Sequence, residues 1–515
     1  MQKYNVVRNS VKGTFYGIIV NLITMGGAFA TRTLLIYKLG VEYVGLDGLF
    51  ASILTFLNMA ELGFGTAIVY KLYKPIAENN IEEVNALLKY YRKIYRWIGL
   101  IILVVGLALT PFLPYIVDVN RVPGSLNVYV LYFICLSSTV VSYLLFAYKN
   151  ALFNAHQRQD CISKIASAIF CFQYIFQIGI LVFVPNYYLF LLIHLLSTIF
   201  KNLGTAYFTN KYYPQYKCEG TLNKEVRSDI KHRIEALIYN KIGVTIINGS
   251  DNIIISKFLG LFTLGIYVSY YYIFSIVHSF FNVLRDAMTA GIGNKIITES
   301  VDENYQLLER IYFVYAWMTG LCSIGLAVLY KPFMTLWIGE ERTLSIGFSI
   351  IMAIYFYFWI IRFVVVMFKN AQGLWWEDRF RPFCEGIVNL ILNVIMVRFM
   401  GLFGVVLSTI IAMLTISVPW ETHVLFSKYF KRSMKPYFLN MLKWIVLTLF
   451  SGFLVFIVCE QISTNPIVAF IIKVIICFIV PNICFYVFWH KSEHMEYAKM
   501  TFSSVMNKLI IKIKK

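Results

Sequence analysis

The feature that most constrains this chain is a succession of apolar runs, each near 20 residues long and each closed by a short polar gap. About 20 residues of helix cover roughly 30 Å, the thickness of a bilayer's hydrocarbon core. Within that core a helix satisfies every backbone N–H and C=O inside its own segment. The chain has 515 residues, 59% of them hydrophobic and only 14% charged, too apolar a mixture for an ordinary soluble protein. Bounding the runs by charge gives about fourteen spans, so the expected fold class is an all-α polytopic membrane protein.

The 46 Lys+Arg against 27 Asp+Glu leave a net charge of +19, which taken alone suits nucleic acid or anionic lipid. These cations occupy the short gaps and build no basic soluble domain, so nucleic acid is excluded as a partner and membrane lipid remains. With the N-terminus inside, the inner gaps collect Lys71, Lys74, Arg92, Lys149, Arg158, Lys217, Lys369, Arg379 and Arg381, whereas the outer gaps hold Lys38, Arg121, Lys257, Arg342 and Arg398. That bias predicts cytoplasmic termini and an even number of spans. The basic stretch Met1 to Lys12 runs into the first apolar segment without a small-residue cleavage site, so the first span is expected to be retained. The 9 cysteines form no C-x-x-C pair, and neither a metal nor a cofactor motif is present. A Gly-rich phosphate loop and a nucleophile elbow are also missing, which argues against an enzyme.

An internal repeat organises the chain. Leu39-Gly40 and Gly45 recur as Leu259-Gly260 and Gly265, Glu83 and Trp97 as Glu303 and Trp317, and Lys149-Asn150-Ala151 as Lys369-Asn370-Ala371, all at an offset of 220. A constant offset over such a length predicts a duplicated set of six spans with parallel orientation, as in alternating-access carriers. The expected organisation is a lobe at 1–220, a second lobe at 221–435, two accessory helices at 436–490 and a basic tail at 491–515. The tail alternates apolar residues with Lys and is read either as lying on the anionic inner leaflet or as a plain basic extension.

Ionisable groups deep in a span cost about 2.5–3.5 kcal/mol on insertion scales, so each needs a partner, a wet cavity or a route to the interface. Arg32 in span 1 and Asp251 in span 7 lie at similar depth in the outer half, and Asn252 occupies the repeat position of Arg32. Arg32 and Asp251 are expected to face each other as a gate. Lys241 and Arg362 lie in the inner half, and Lys473 near the middle of the last span. Arg32, Lys241 and Arg362 are within about 10 Å of an interface, so snorkelling competes with a binding role. Glu61 is either a coupling acid or a structural partner for Lys241 or Arg362. The following Gly63 and Gly65 would loosen the helix there or permit close packing. Asp47 is read as interfacial, and His194 and His278 as packed histidines. Asn389 and Asn393, four apart, share one face and point to a polar cavity or an interhelical hydrogen bond.

The turn from Leu39-Gly40 to Gly45, the segment Glu61-Leu62-Gly63-Phe64-Gly65-Thr66-Ala67-Ile68, and Asn389, Asn393, Gly401 and Gly404 resemble the polysaccharide and oligosaccharide flippases (Wzx type) of the multidrug/oligosaccharidyl-lipid/polysaccharide exporter superfamily. The resemblance covers nearly the whole chain. It implies a transporter that moves an undecaprenyl-pyrophosphate-linked glycan unit from the inner to the outer leaflet of a bacterial plasma membrane, for capsule, O-antigen or exopolysaccharide synthesis. Arg32, Lys241, Arg362 and Lys473 would then meet the pyrophosphate, with Glu61, Asp251, Asn252, Asn389 and Asn393 in gating or coupling. A polysaccharide polymerase and glycosyltransferases are implied partners. A lipid II or teichoic-acid-type flippase and a cation-coupled multidrug exporter of the same superfamily stay open. So does a membrane-embedded polymerase or glycosyltransferase, against which the short external loops speak.

Overall fold

The computed structural model describes residues 6–61, 63–117, 122–124, 126–493 and 495–496. Leu62, Arg121 and the tail from 497 onward lie outside the described residues, and with them the leaflet-bound reading of the tail. The described residues are helical and contain no strand. They fall into two compact units, 1–268 and 269–515.

The first unit holds α1 (Val6–Lys38), α2 (Val41–Leu57), α3 (Phe64–Ala77), α4 (Ile81–Leu109), the short α5 (Leu113–Ile116), α6 (Val128–Leu144), α7 (Asn150–Ala155), α8 (Gln159–Phe183) and α9 (Tyr187–Tyr212). The chain continues in α10 (Lys224–Thr298), within which the unit boundary falls. The second unit goes on with α11 (Val301–Ile338), α12 (Ile346–Ile361), α13 (Phe363–Ala371), α14 (Arg381–Ala412), α15 (Val418–Leu425), α16 (Lys435–Glu460) and α17 (Pro466–Trp489). Polar caps start many of them. Asn80, Asn127, Asn186, Ser345 and Asn465 each accept a backbone N–H of the first turn, and Ser300 with Glu303 forms a capping box.

Among the described residues, 11 helices are long and apolar enough to cross a membrane, and 12 if α6 and the bent segment Ala147–Ala155, at 49°, count as one crossing. The expected fourteen differs where two helices run on as one. The segments Ile238–Thr298 and Arg381–Phe430, of 61 and 50 residues, are each far longer than the ~20 residues that one crossing needs. Each is broken at one glycine, Gly260 with φ 87 and ψ 171, and Gly401 with φ 56 and ψ −133. Both glycines have positive φ, which a Cβ would strain, so a single residue takes the place of a loop.

Other spans break internally. The second expected span ends as regular helix at Leu57, passes through a 3₁₀ turn over Asn58–Glu61, and resumes at Phe64 after Gly63 with φ 82. Gly63 therefore breaks the helix, while Gly65 lies inside α3. Phe146, with φ 58, separates α6 from the following turn, and Arg362 separates α12 from α13.

Within the first unit α2 meets the part of α10 that follows Gly260. A Cβ on Gly45 would lie 2.3 Å from the carbonyl oxygen of Leu261, and one on Gly265 would lie 2.0 Å from that of Val41. Gly45 and Gly265, like Val41 and Leu261, are 220 apart. The two contacts are copies of one another, and the backbones touch only because both glycines lack a side chain. In the second unit α16 and α17 pack on α11 through Ile324, Val328, Val455, Cys459 and Cys477, and Trp317 Nε1 donates to Asn482 Oδ1 at 2.9 Å. Phe172, Phe176, Phe453 and Phe478 are exposed along the helices, as residues in contact with acyl chains would be.

Gly45→Ala or Gly265→Ala should lower stability by roughly 1–3 kcal/mol, because a methyl group would meet backbone. Gly179, where an added methyl group would meet no atom within 4 Å, is the control. Thermal unfolding of purified protein in detergent should show a lower midpoint for the first two variants and an unchanged one for Gly179→Ala; equal midpoints throughout would refute the contact.

Candidate functional site

One group of polar side chains in the first unit gathers around the same helix crossing. Arg32 is half-buried on α1, two turns before the break at Gly40, and its Nη1 donates to the carbonyl oxygen of Val268 at 2.7 Å. Asn252, two turns before Gly260, donates through Nδ2 to the carbonyl oxygen of Gly48 at 3.2 Å and to Ser52 Oγ at 2.9 Å. Val268 and Gly48 are again 220 apart, so each copy of the first helix sends one polar side chain to the same carbonyl of the other copy's second helix. The geometry is duplicated but the charge is not, since one donor is a guanidinium and the other a neutral amide. Asp251, beside Asn252, accepts from Ser250 Oγ at 3.4 Å. Asp47 on α2 lies within electrostatic reach of Arg32 and of His194 on α9. Reading Asp47 and His194 separately missed this cluster, because nothing in residues 32, 47 and 194 announces proximity. The buried pair Gln173 and Gln177 on α8 extends it, with Gln173 Nε2 3.4 Å from His194 Nδ1 and Gln177 Nε2 donating to the carbonyl oxygen of Phe190.

Glu61 sits at the break between α2 and α3, on the wall of a cavity of about 720 Å³. It forms no ion pair among the described residues. Its Oε1 accepts from the hydroxyl of Tyr95 at 3.1 Å, and Tyr91 donates to Tyr95 at 2.7 Å. Gly65 makes room for this chain, since a Cβ there would lie 2.8 Å from Glu61 Oε1 and 2.9 Å from the Tyr91 hydroxyl. The partner expected for Glu61, a Lys or Arg in another span, is thus replaced by phenols on α4.

Arg362 is half-buried and tied into a network of three cations and three carboxylates in the second unit. Its Nε lies 3.1 Å from Glu421 Oε2 and its Nη1 3.5 Å from Glu385 Oε1. Arg381 meets Asp378 at 2.9 Å, Glu385 at 2.9 Å and Glu421 at 3.2 Å, and donates to Ser417 Oγ at 2.7 Å. Lys369 pairs with Asp378 and lies 3.5 Å from Glu421 Oε1. The charges cancel, so this cluster presents no free cation while it stays closed. Sequence reasoning singled out Arg362 and missed its partners, although Arg381 and Glu385 at i, i+4 were a legible pair. Glu421 lies inside a run that reads as one apolar span.

The remaining candidates stand apart. Asn389 Nδ2 donates to Thr409 Oγ1 at 2.9 Å and Asn393 Nδ2 to Asn389 Oδ1 at 3.2 Å, which ties the two arms of α14 across the break at Gly401. Lys473 is the eighth residue of α17 and lines a cavity of about 460 Å³ with Lys331, Glu460 and Phe470. Lys241 on α10 is half-buried and has no ion-pair partner among the described residues.

Because Glu421 touches Arg362, Lys369 and Arg381, its neutralisation leaves buried positive charge unmatched. Glu421→Gln should cost about 3–5 kcal/mol, the usual penalty for breaking a buried ion pair from one side. Arg362→Gln should destabilise in the same direction. The check is the thermal midpoint in detergent together with limited proteolysis of the 362–421 region; wild-type values for both variants would show the network to be energetically idle.

Residues 10–290 match the family described as polysaccharide biosynthesis protein. No curated protein matches the chain. Among solved structures, a lipid II flippase MurJ in an inward closed conformation superposes with a TM-score of 0.64 at 16% identity, over 94% of this chain and 99% of that one. An inward-facing multidrug resistance transporter of the MATE family gives 0.62 at 12% identity, over 78% and 94%. A MOP superfamily transporter from Pyrococcus furiosus, whose binding pocket is described as reversed in polarity, gives 0.51 at 13%, over 83% and 96%. At these identities the superpositions establish the fold. The family match spans more than half of the chain, which therefore belongs to the polysaccharide biosynthesis protein family, with the helical membrane-transporter fold of the MOP superfamily flippases and exporters.

Proposed function

We propose that this protein flips a polyprenyl-pyrophosphate-linked glycan unit, of the undecaprenyl type, from the inner to the outer leaflet of a bacterial plasma membrane by alternating access of its two repeats, with both termini in the cytoplasm. Family membership supports a role in polysaccharide biosynthesis. The observation that carries the substrate class is the charge of the first helix. Val6–Lys38 contains no Asp or Glu and holds Arg32 against a backbone carbonyl, so an anionic head group is favoured over a cationic drug.

A diphosphate with its glycan cannot cross about 30 Å of hydrocarbon unaided, but the lipid tail can stay in the bilayer while the head group passes through a polar cavity. Arg32 and Lys241 are the cations proposed to hold it, by charge-assisted hydrogen bonds. Arg32 would give up its bond to the Val268 carbonyl and its place near Asp47 to do so. Arg362 would have to leave two carboxylates, a buried arrangement that is expensive to open. Asp251 acts with Arg32 as a gate, and Asn252 keeps the crossing in register when Arg32 turns to substrate. An inside-negative potential draws the empty, positively charged carrier inward by up to about 2.3 kcal/mol per charge per 100 mV. Bound diphosphate removes that bias. The glycosyltransferases that build the unit and the polymerase that consumes it are the partners this reading implies.

The test is reconstitution into liposomes with a fluorescent polyprenyl-pyrophosphate glycan, scored by access of an external glycosidase. Wild-type protein should equilibrate the label across both leaflets. Arg32→Gln should slow this roughly tenfold or more, as expected for loss of one charged hydrogen bond to substrate, and Arg32→Lys should retain part of it. Wild-type flipping by Arg32→Gln and Lys241→Gln together, or transport of a cationic dye in place of the glycan, would reject the reading.

A further inference from the structure

One cavity of the first unit is unused by the transport reading. It holds about 470 Å³ and is walled by the N-terminal part of α4, the break between α6 and α7, and the end of α9 with the loop after it. Arg92, Lys149 and Lys217 line it, and no Asp or Glu does. None of the three forms an ion pair among the described residues. Lys149 Nζ donates to Asn210 Oδ1 and lies 5.5 Å from the centroid of Phe146, while Arg92 lies beside Tyr148. These are neutral partners, so the positive charge is left uncompensated.

A second observation is independent of charge. Thr209, 2% exposed, lines the same cavity, and its hydroxyl has no hydrogen-bond partner among the described residues. Thr31, Thr55 and Thr422 on their helices donate to the carbonyl four residues back, whereas Thr209, like Thr319, does not. Leaving the hydrogen bond of a buried hydroxyl unmade is unfavourable. An orphaned donor beside three unmatched cations is satisfied by a ligand that is anionic and rich in acceptor oxygens. His156, stacked on Tyr213 of the cavity wall at 4.2 Å, adds no charge at neutral pH, since burial and the neighbouring Arg158 push its pKa down to about 4.

We infer that this cavity is a binding site for a phosphate or diphosphate group, held by Arg92, Lys149, Lys217 and the Thr209 hydroxyl. Its volume suits a head group, and its place at the helix ends that collect Lys and Arg puts it level with the membrane surface. The group can come from an anionic lipid or from a soluble phosphate compound, and the chemistry of recognition is the same. The inference does not rest on transport, and its readout is binding alone.

Full-length protein in phosphatidylcholine nanodiscs would be titrated with inorganic pyrophosphate by calorimetry. Retention of phosphatidic acid would be counted in parallel by native mass spectrometry. Pyrophosphate binding that Lys149→Gln or Lys217→Gln weakens identifies a site open to soluble phosphate, and retention of phosphatidic acid alone that the same variants reduce identifies a lipid head-group site; either supports the inference. Lys149→Gln and Arg92→Gln should each weaken binding roughly tenfold, and Thr209→Val severalfold. Lys217→Gln, at an exposed loop position, should weaken it without any change in thermal midpoint, which keeps the test valid if the other variants unfold. No binding of either probe by wild-type protein, or wild-type affinity in both Lys217→Gln and Lys149→Gln, would overturn the site.

Discussion

The backbone contact between α2 and α10 at Gly45 and Gly265 is the constraint on which the first unit depends. Helices in lipid gain little from hydrophobic association, because acyl chains are as apolar as the side chains they would replace. Close approach of backbones and interhelical hydrogen bonds must supply the specificity. Removing both side chains at the crossing brings two carbonyls within reach of the opposite helix, and Arg32 and Asn252 use the carbonyls of Val268 and Gly48, one turn further along. A larger residue at either glycine would part the helices and strand both donors in a low-dielectric environment, where an unmade hydrogen bond is most costly.

Duplication preserved this geometry while the chemistry diverged. Arg32 and Asn252 hold equivalent positions, yet only one carries charge. Glu61 corresponds to Phe281, a fully buried ring. Lys149 and Lys369 are the clearest case. In the first copy the amine meets, among the described residues, an amide and an aromatic face, and in the second it is locked between Asp378 and Glu421. The same lysine, at the same place in the repeat, is available in one copy and neutralised in the other. The difference lies in the neighbours supplied by each copy and not in the lysine.

The parts of the structure legible in the sequence were those governed by local rules. Apolar length gave the helices, and the offset of 220 gave the equivalence of Gly40 with Gly260, both of which the structure places at positive φ. The loosening after Glu61 was legible too, because Gly63 acts on its own backbone, whereas Gly65 serves packing against Glu61 and Tyr91. What escaped were contacts between residues far apart in the chain. Asp47 reads as interfacial until His194 and Arg32 are brought beside it, and Glu421 reads as an oddity in an apolar run until three cations surround it. The expected divisions between 258 and 262 and between 399 and 402 fall at Gly260 and Gly401, where one residue breaks the chain and leaves helix on both sides.

The fold alone does not choose a substrate, since it superposes on both a lipid II flippase and a drug exporter. The choice falls to charge, and charge is unevenly spread. In the second unit the buried cations Arg362, Lys369 and Arg381 are matched by three carboxylates, so the cluster is close to neutral and its field falls off steeply. In the first unit Lys241, Arg92, Lys149 and Lys217 have no carboxylate within ion-pair distance among the described residues, and Arg32 holds a carbonyl. An anionic head group that reaches the protein therefore gains most from the first unit. The same reasoning explains why the neutral network can be rigid. A closed set of six mutually paired charges costs energy to open at any single point, so it fixes the helix ends around Arg362, while the lysines of the first unit can exchange their neutral partners at little cost.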